Sequence, residues 1–514
     1  MLSLIAELDA VAQREGHRLH SVQGGTSLTY GEFAAATHRV AHAMTRAGLR
    51  AGDRIAVWSR NDLRMLQVFY GAMRCKVLFM PLNARNGVDE NLALLRRFEC
   101  KGLFVQSGVC DPQVLAMKVP SLRCTVSFEP EESSANAFDS WRDAASDAGP
   151  FADLFIAGHD AAAIFPTSGT TGEPKGAEHN HLGLATMARG YRELLDLAPG
   201  CKHLVVAPIT HVAGGVVYAT TALGCTQLLL ASTQPADILD AVEREQANLL
   251  FVPPTLLYGM LDEQKHRPRQ LGSLKALIYA GSAISPGRLR QAMDMLGPVL
   301  VNVYSQSELL YPVTSLSRDD HARIAGGDEH LLASAGRATA QGEVSIMGED
   351  GRHLPPGEIG EIVTRSLAGM QGFIGDGAAT EALRSHGWHH TGDVGRLDAE
   401  DYLYIVDRKK DMIIPGGFNV YSSEVEAVLQ EHPGVQDAAV VGVPDPKWGE
   451  AVCAVVVLAP GSAITAEALR LHCRERLGGV KAPKRVEFHQ RLPRNSAGKV
   501  LKRDLRDLLG RGLE

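Results

Sequence analysis

The sequence predicts an α/β protein: a large N-terminal domain of helix-covered sheets with a small β unit, then a smaller, mobile α+β C-terminal domain. Three observations carry this. Short, almost continuously apolar runs alternate with helical periodicity as far as Tyr304. Runs of that kind, buried on both faces, belong to parallel sheets covered by helices. After residue 330 the rhythm changes, and "GEVSIMGEDGRHLPPGEIGEIVTR" alternates short apolar runs with Gly/Pro turns, the pattern of a small antiparallel unit. A charged patch and a Pro-Gly-Gly, "VDRKKDMIIPGGFNV", then precede a tail of mixed strands and helices.

In chain order, "MLSLIAELDAVAQREG" reads as an amphipathic helix. It carries Glu7 and Asp9 and lacks the cationic start and long apolar core of an export signal. Strands are expected at 54–59, 102–106, 161–165, 203–207, 225–231, 248–252, 276–281 and 299–304, with helices between them, for example 179–195 and 235–246. This is a βαβ series. No Asp, Glu, Lys or Arg occurs from His203 to Ala236. That is long enough to span a bilayer, but Pro208, His211, Gly214 and Gly215 interrupt it, so a strand, a helix and a second strand are expected. The tail should hold strands at 438–442 and 452–458 and helices at 422–431 and 465–477. A chain of 514 residues exceeds a single core. Domains are expected at 1–407 and 408–514, with a hinge at 408–411.

The composition, 45% hydrophobic and 22% charged, is that of a globular protein, and the net charge of −7 provides no basic field for nucleic acid or anionic lipid. The eight cysteines show no CxxC and no metal-ligand spacing. That argues against a disulfide scaffold or a zinc site and fits a reducing cytoplasm. The oligomeric state is not legible, and a homodimer is compatible with all of this.

The densest chemical signal is "FPTSGTTGEPKGAEHNH" (165–181), where six of the seven residues from Thr167 to Glu173 are Thr, Ser or Gly. A glycine-rich turn after a strand exposes backbone N–H groups that bind phosphate oxygens. A helix is expected from about His179, and Lys175 adds a mobile positive charge. The GxxxxGK[ST] pattern is excluded: Gly169 lies six residues before Lys175, but Pro174 precedes that lysine and Gly176 follows it.

"TSGTTGEPKG" resembles the phosphate-loop signature of the adenylate-forming superfamily: acyl-CoA synthetases, nonribosomal adenylation domains and luciferases. Further segments resemble that family in order along nearly the whole chain: "PITHVAGG" (208–215), "YSQSE" (304–308), "GWHHTGDVG" (387–395), "DRKKDMIIPGGFNVYSSEVE" (407–426) and "LPRNSAGKVLKRDLR" (492–506). The resemblance implies two steps. A carboxylate attacks the α-phosphorus of ATP, giving acyl-adenylate and pyrophosphate, and a thiol then displaces AMP.

It also implies roles. Thr167, Ser168, Gly169, Thr170, Thr171, Gly172 and Lys175 would cradle the β- and γ-phosphates. Glu308, after Ser307, would hold Mg²⁺ together with Thr170. Gly281, Ser282, Asn302 and Tyr304 would form the adenine slot, next to Ser305 where the family usually has Gly. Asp393 would accept the ribose hydroxyls, Arg408 would contact ribose or phosphate, and Lys410 would occupy the hinge. Lys499 would reach the α-phosphate and the substrate carboxylate. Gly416 and Gly417 would line the pantetheine channel of CoA. His211 would gate the acyl site, with Val212, Gly214, Gly215 and Tyr218 as neighbours.

The charge-free 203–236 segment offers no partner for an α-ammonium or a second carboxylate, and burying an unpaired charge is costly. A monocarboxylic acid is therefore expected. A medium- or long-chain fatty acid is placed first and a benzoate- or cinnamate-like acid second. CoA is the expected thiol, since no carrier-protein segment follows the Gly-Lys motif. The alternatives are an enzyme loading a separate carrier protein and a nucleotide-binding protein without turnover. The presence of Glu308, Asp393, Arg408 and Lys499 weighs against the latter.

Overall fold

The computed structural model describes residues 3–110, 115, 117–129, 137–144, 149–151, 156–167, 174–494 and 500–510. Contacts divide the chain into two compact units, residues 1–344 with 364–389, and residues 345–363 with 390–514.

The first unit holds two large sheets. Among the described residues one has nine strands, in the order Arg337–Ala338, Leu309–Leu316, Leu300–Gln306, Ala276–Ala280, Leu249–Val252, Lys202–Val205, Thr226–Leu229, Leu19–Gln23 and Thr26–Thr29. From Leu300–Gln306 through Leu19–Gln23 every neighbour is parallel. The other has seven strands: Gly372–Phe373, Lys175–Asn180, Ala161–Thr167, Leu78–Asn83, Arg54–Ser59, Gly102–Val105 and Cys124–Ser127. Side chains alternate across it. Ile55 and Val57 join a core with the helices Tyr30–Arg46, Leu63–Arg74, His181–Leu195 and Val212–Leu223 and with strands of the nine-stranded sheet, while Ala56 and Trp58 pack on the helix Val88–Arg97.

The expected strands and helices appear within a few residues of the predicted bounds. The opening helix is Leu4–Glu15, capped by the Ser3 hydroxyl and buried along Leu4, Ile5, Leu8 and Val11. The charge-free segment folds as Lys202–Val205, Val212–Leu223 and Thr226–Leu229, and no helix among the described residues is long and apolar enough to cross a membrane.

One strand was not foreseen. The polar run Lys175–Asn180 is paired antiparallel with Ala161–Thr167 through Thr167↔Lys175, and the helix expected from about His179 begins at His181 under an Asn180 cap. Cysteine pairing is corrected. Cys201 and Cys225 form a disulfide, and the other six cysteines are outside it. The two cysteines immediately precede neighbouring parallel strands that start together, Lys202 opposite Thr226. Closing a loop of sequence separation 24 stabilises by roughly 3–4 kcal/mol in the chain-entropy account. Thiol titration of unreduced, denatured protein is expected to find six free thiols, and reductant should lower the urea midpoint. Eight free thiols would remove the bond.

A four-stranded sheet, Gly342–Met347, Gly360–Ser366, His389–Leu397 and Leu403–Arg408, falls mainly in the second unit. The same unit contains the hairpin Val435–Asp445/Gly449–Leu458 with the parallel strand Arg485–Phe488, covered by Ser422–Gln430, Ala466–Lys481 and Lys502–Gly510. The expected hinge, 408–411, lies inside this unit, where Lys409–Asp411 makes one 3₁₀ turn.

Candidate active site

Ligands of open α/β sheets sit outside the carboxyl ends of the strands, and most of the expected residues of the first unit are found there. Thr167 ends its strand; Ser168, Gly169, Thr170, Thr171 and Gly172 lie outside the described residues. Lys175 Nζ lies 3.5 Å from Asp376 Oδ2 and 5.1 Å from the centre of the Phe373 ring. Asp376 caps the helix Gly377–Ala382, and its carboxyl is held below the usual range by the Ala379 N–H and then by Lys175. The lysine is therefore aimed by a partner that sequence spacing did not reveal.

Gly281 and Ser282 follow the end of Ala276–Ala280, beside Asn302 and Tyr304 on the adjacent parallel strand. Gly281 has φ +94°, a conformation that favours glycine. Asn302 Nδ2 donates to the Tyr279 carbonyl at 3.0 Å, which directs its amide oxygen, an acceptor, to the other side. Ser307 and Glu308 form the turn between Leu300–Gln306 and Leu309–Leu316.

His211 precedes the first turn of Val212–Leu223, with Nδ1 2.8 Å from the Thr210 hydroxyl. Its ring is open to solvent by surface area yet set among many protein atoms. That crowding, with the Arg85 guanidinium, lowers its pKa and favours neutral imidazole. Gly214 and Gly215 are demanded by packing: a Cβ would lie 2.3 Å from the Ile209 carbonyl at the first and 2.9 Å from Met187 Sδ at the second. Val212 packs on the core from a half-buried position. Tyr218 is inside the core, 1% exposed and stacked on Phe69 at 4.0 Å.

The second unit carries its own set. Asp393 and Arg408 are opposite each other on paired strands, Arg408 Nε 3.4 Å from Asp393 Oδ1, and Asp393 is 5% exposed. Burial and then Arg408 lower the pKa of Lys410. Sequence reasoning missed Glu361. Its carboxylate lies 3.1 Å from His390 Nδ1 and accepts from Lys409 Nζ at 2.9 Å and Gly392 N at 3.2 Å, so it braces the Thr391-Gly392-Asp393 turn. Its three partners are far from it in sequence, and no spacing could have revealed them. Gly416 and Gly417 both have positive φ. A Cβ at Gly416 would meet the Trp448 ring at 2.9 Å, whereas at Gly417 nothing lies within 4 Å. Lys499 lies outside the described residues.

Residues 8–374 match the model of the AMP-binding enzyme family, and residues 424–499 match that of the AMP-binding enzyme C-terminal domain. The chain is 35% identical to the feruloyl-CoA synthase of an Amycolatopsis species over 97% of both chains. It is 37% identical to the medium/long-chain-fatty-acid–CoA ligase FadD8 of Mycobacterium tuberculosis over 66% of this chain and 60% of that one. Its fold matches the o-succinylbenzoate CoA synthetase MenE of Bacillus subtilis with a TM-score of 0.85 at 26% identity, over 98% of each chain. The chain belongs to the AMP-binding, adenylate-forming enzyme family, among its acid–CoA ligases.

Proposed function

We propose that this ligase activates an apolar monocarboxylic acid through an acyl-adenylate and transfers it to CoA, with an aryl acid of the hydroxycinnamate kind preferred. The observation that carries the class of acid is the strand–helix–strand from His203 to Ala236, which contains no Asp, Glu, Lys or Arg. A second carboxylate or an ammonium would find no counter-charge there. The sequence alone placed a fatty acid first. One observation supports reversing that order: the similarity to feruloyl-CoA synthase covers 97% of both chains. The part-length similarity to FadD8 keeps a fatty acid as the second reading.

In this reading, Lys175 and the glycine-rich loop take the β- and γ-phosphates, Asn302 and Tyr304 the adenine, and Asp393 and Arg408 the ribose. Lys499 meets the charge that develops at the α-phosphate, where a fixed cation lowers the barrier most. The small domain turns at 408–411 between the half-reactions, and Gly417, which has open space around its Cα, gives the thiol arm close passage along the backbone. Glu308 fits Mg²⁺. It is one carboxylate at a strand edge, and no group of three His, Cys, Asp or Glu surrounds it among the described residues. Mg²⁺ is usually held by one or two carboxylates plus phosphate oxygens and water. When bound, the ion neutralises phosphate charge.

AMP release measured with CoA and a set of acids tests the preference. We expect kcat/KM for ferulate or coumarate to exceed that for dodecanoate by about tenfold or more, the scale on which apolar pockets discriminate. The reverse order would restore the fatty acid, and no turnover with any monocarboxylate would remove the proposal.

A further inference from the structure

We infer that His179 is a positioning residue that couples the strand carrying Lys175 to the turn carrying Glu308. This rests on the proposed reading that both side chains act on the phosphates of ATP.

His179 is fully buried, and its Nε2 lies 2.8 Å from the Ser307 carbonyl, a group that can only accept. Nε2 therefore carries the proton, and the ring is the neutral Nε2–H tautomer. Burial keeps it so, lowering its pKa to about 4. The other nitrogen, Nδ1, has no partner among the described residues. A buried acceptor left unpaired is destabilising. An apolar side chain of similar size would avoid that cost and could still pack edge-on against Phe165. What only the histidine supplies is the N–H for Ser307.

That carbonyl needs a donor. The ladder between Leu300–Gln306 and Leu309–Leu316 shifts register between Tyr304 and Gln306, just before the Ser307–Glu308 turn. The next carbonyl, of Glu308, accepts from the Met370 N–H at 2.9 Å. Met370 leads into the strand Gly372–Phe373, which pairs with Lys175–Asn180 through Phe373↔Ala177. The turn is thus pinned twice to the same patch of strand, once by a side chain and once by backbone. Lys175 and His179 stand four residues apart on that strand, on one face of it, and Phe373 and Asp376 of the same patch aim Lys175. His179 therefore sets the spacing between an ammonium and a carboxylate expected to engage one triphosphate. An error of about 1 Å in such spacing can lower a rate by up to about a hundredfold.

The test compares His179→Phe, which keeps bulk and removes the donor, with His179→Gln, which keeps an N–H. Acid-dependent ATP–pyrophosphate exchange, CoA acylation from supplied acyl-adenylate, calorimetric binding of a non-hydrolysable ATP analogue, and Tm are read for each. For His179→Phe we expect exchange to fall about ten- to a hundredfold, mainly in kcat, with weaker binding of the analogue. The acyl-adenylate half-reaction and Tm should stay near wild type, and His179→Gln should recover most of the exchange. If His179→Phe does not fold, His179→Met carries the same comparison. Wild-type exchange and binding in the donor-less variant, or a parallel loss of both half-reactions that tracks Tm, would overturn the assignment. Absence of acid-dependent exchange in the wild type would instead sink the ATP reading on which it rests.

Discussion

Replacing Lys499 with alanine is expected to lower acyl-adenylate formation several hundredfold while leaving the conversion of supplied acyl-adenylate and CoA to thioester nearly intact. The asymmetry follows from where charge appears. In the first half-reaction negative charge grows on the oxygens of the α-phosphorus as the carboxylate attacks and pyrophosphate leaves. One preorganised cation at that point is worth roughly 3–4 kcal/mol of barrier. In the second half-reaction the developing charge sits on the carbonyl oxygen of the acyl group, and the α-phosphate is a leaving group already formed. A lysine at position 499 is therefore expected to serve one step and to be dispensable in the other. Single-turnover assays of the two half-reactions separate them. Equal loss in both would assign Lys499 to structure or to general substrate binding, and no loss in either would remove it from the chemistry.

Acid should unfold this protein over a narrow range well above the pH at which carboxylates titrate. Five histidines are fully or almost fully buried: His20, His179, His181, His203 and His321. Burial holds His20 at a pKa of about 3 and His179, His181 and His203 at about 4, against an ordinary 6.5, and also lowers that of His321. These are depressed values for a base, so the folded state keeps the rings neutral. Below pH 6.5 the unfolded chain takes up protons that the folded chain refuses, and stability falls with pH until the folded values are reached. Each ring contributes up to about 1.4 kcal/mol per pH unit in that window, so the four most strongly shifted rings together contribute up to about 5–6 kcal/mol per unit, against a total stability of about 5–15 kcal/mol for an ordinary domain. Urea denaturation at pH 7.5, 6.5 and 5.5 is expected to show little change over the first interval and a loss of several kcal/mol over the second. A flat profile down to pH 5 would contradict it. Replacing His203, which shares a buried network with Thr220 and Gln227, by glutamine should reduce the slope by about a quarter.

The apolar strands were legible because both of their faces are buried. "RIAVWS" reads as a strand and is one over Arg54–Ser59. "KGAEHN" was not, because it pairs beside the short strand Gly372–Phe373 at the end of its sheet and is largely polar. Its periodicity carries no signal, and its last residue, Asn180, is also the cap of the helix that follows. The phosphate-loop motif was visible as sequence, but Asp376, which aims Lys175, lies two hundred residues away and meets it only through strand pairing. The same holds for Glu361 with His390 and Lys409, and for Cys201 with Cys225, whose neighbourhood is created by two parallel strands. Residues 345–363 belong to the same compact unit as the C-terminal residues, and the strand Gly360–Ser366 pairs with His389–Leu397.

In the proposed reaction the carboxylate oxygen of the acid becomes bonded to the α-phosphorus of ATP. Turnover of an acid labelled with ¹⁸O in its carboxylate, with ATP and CoA, followed by mass spectrometry of the nucleotide, tests this directly. One labelled oxygen is expected in each AMP released and none in pyrophosphate. Label in orthophosphate with ADP as the nucleotide product, or thioester formed with AMP unlabelled, would contradict it.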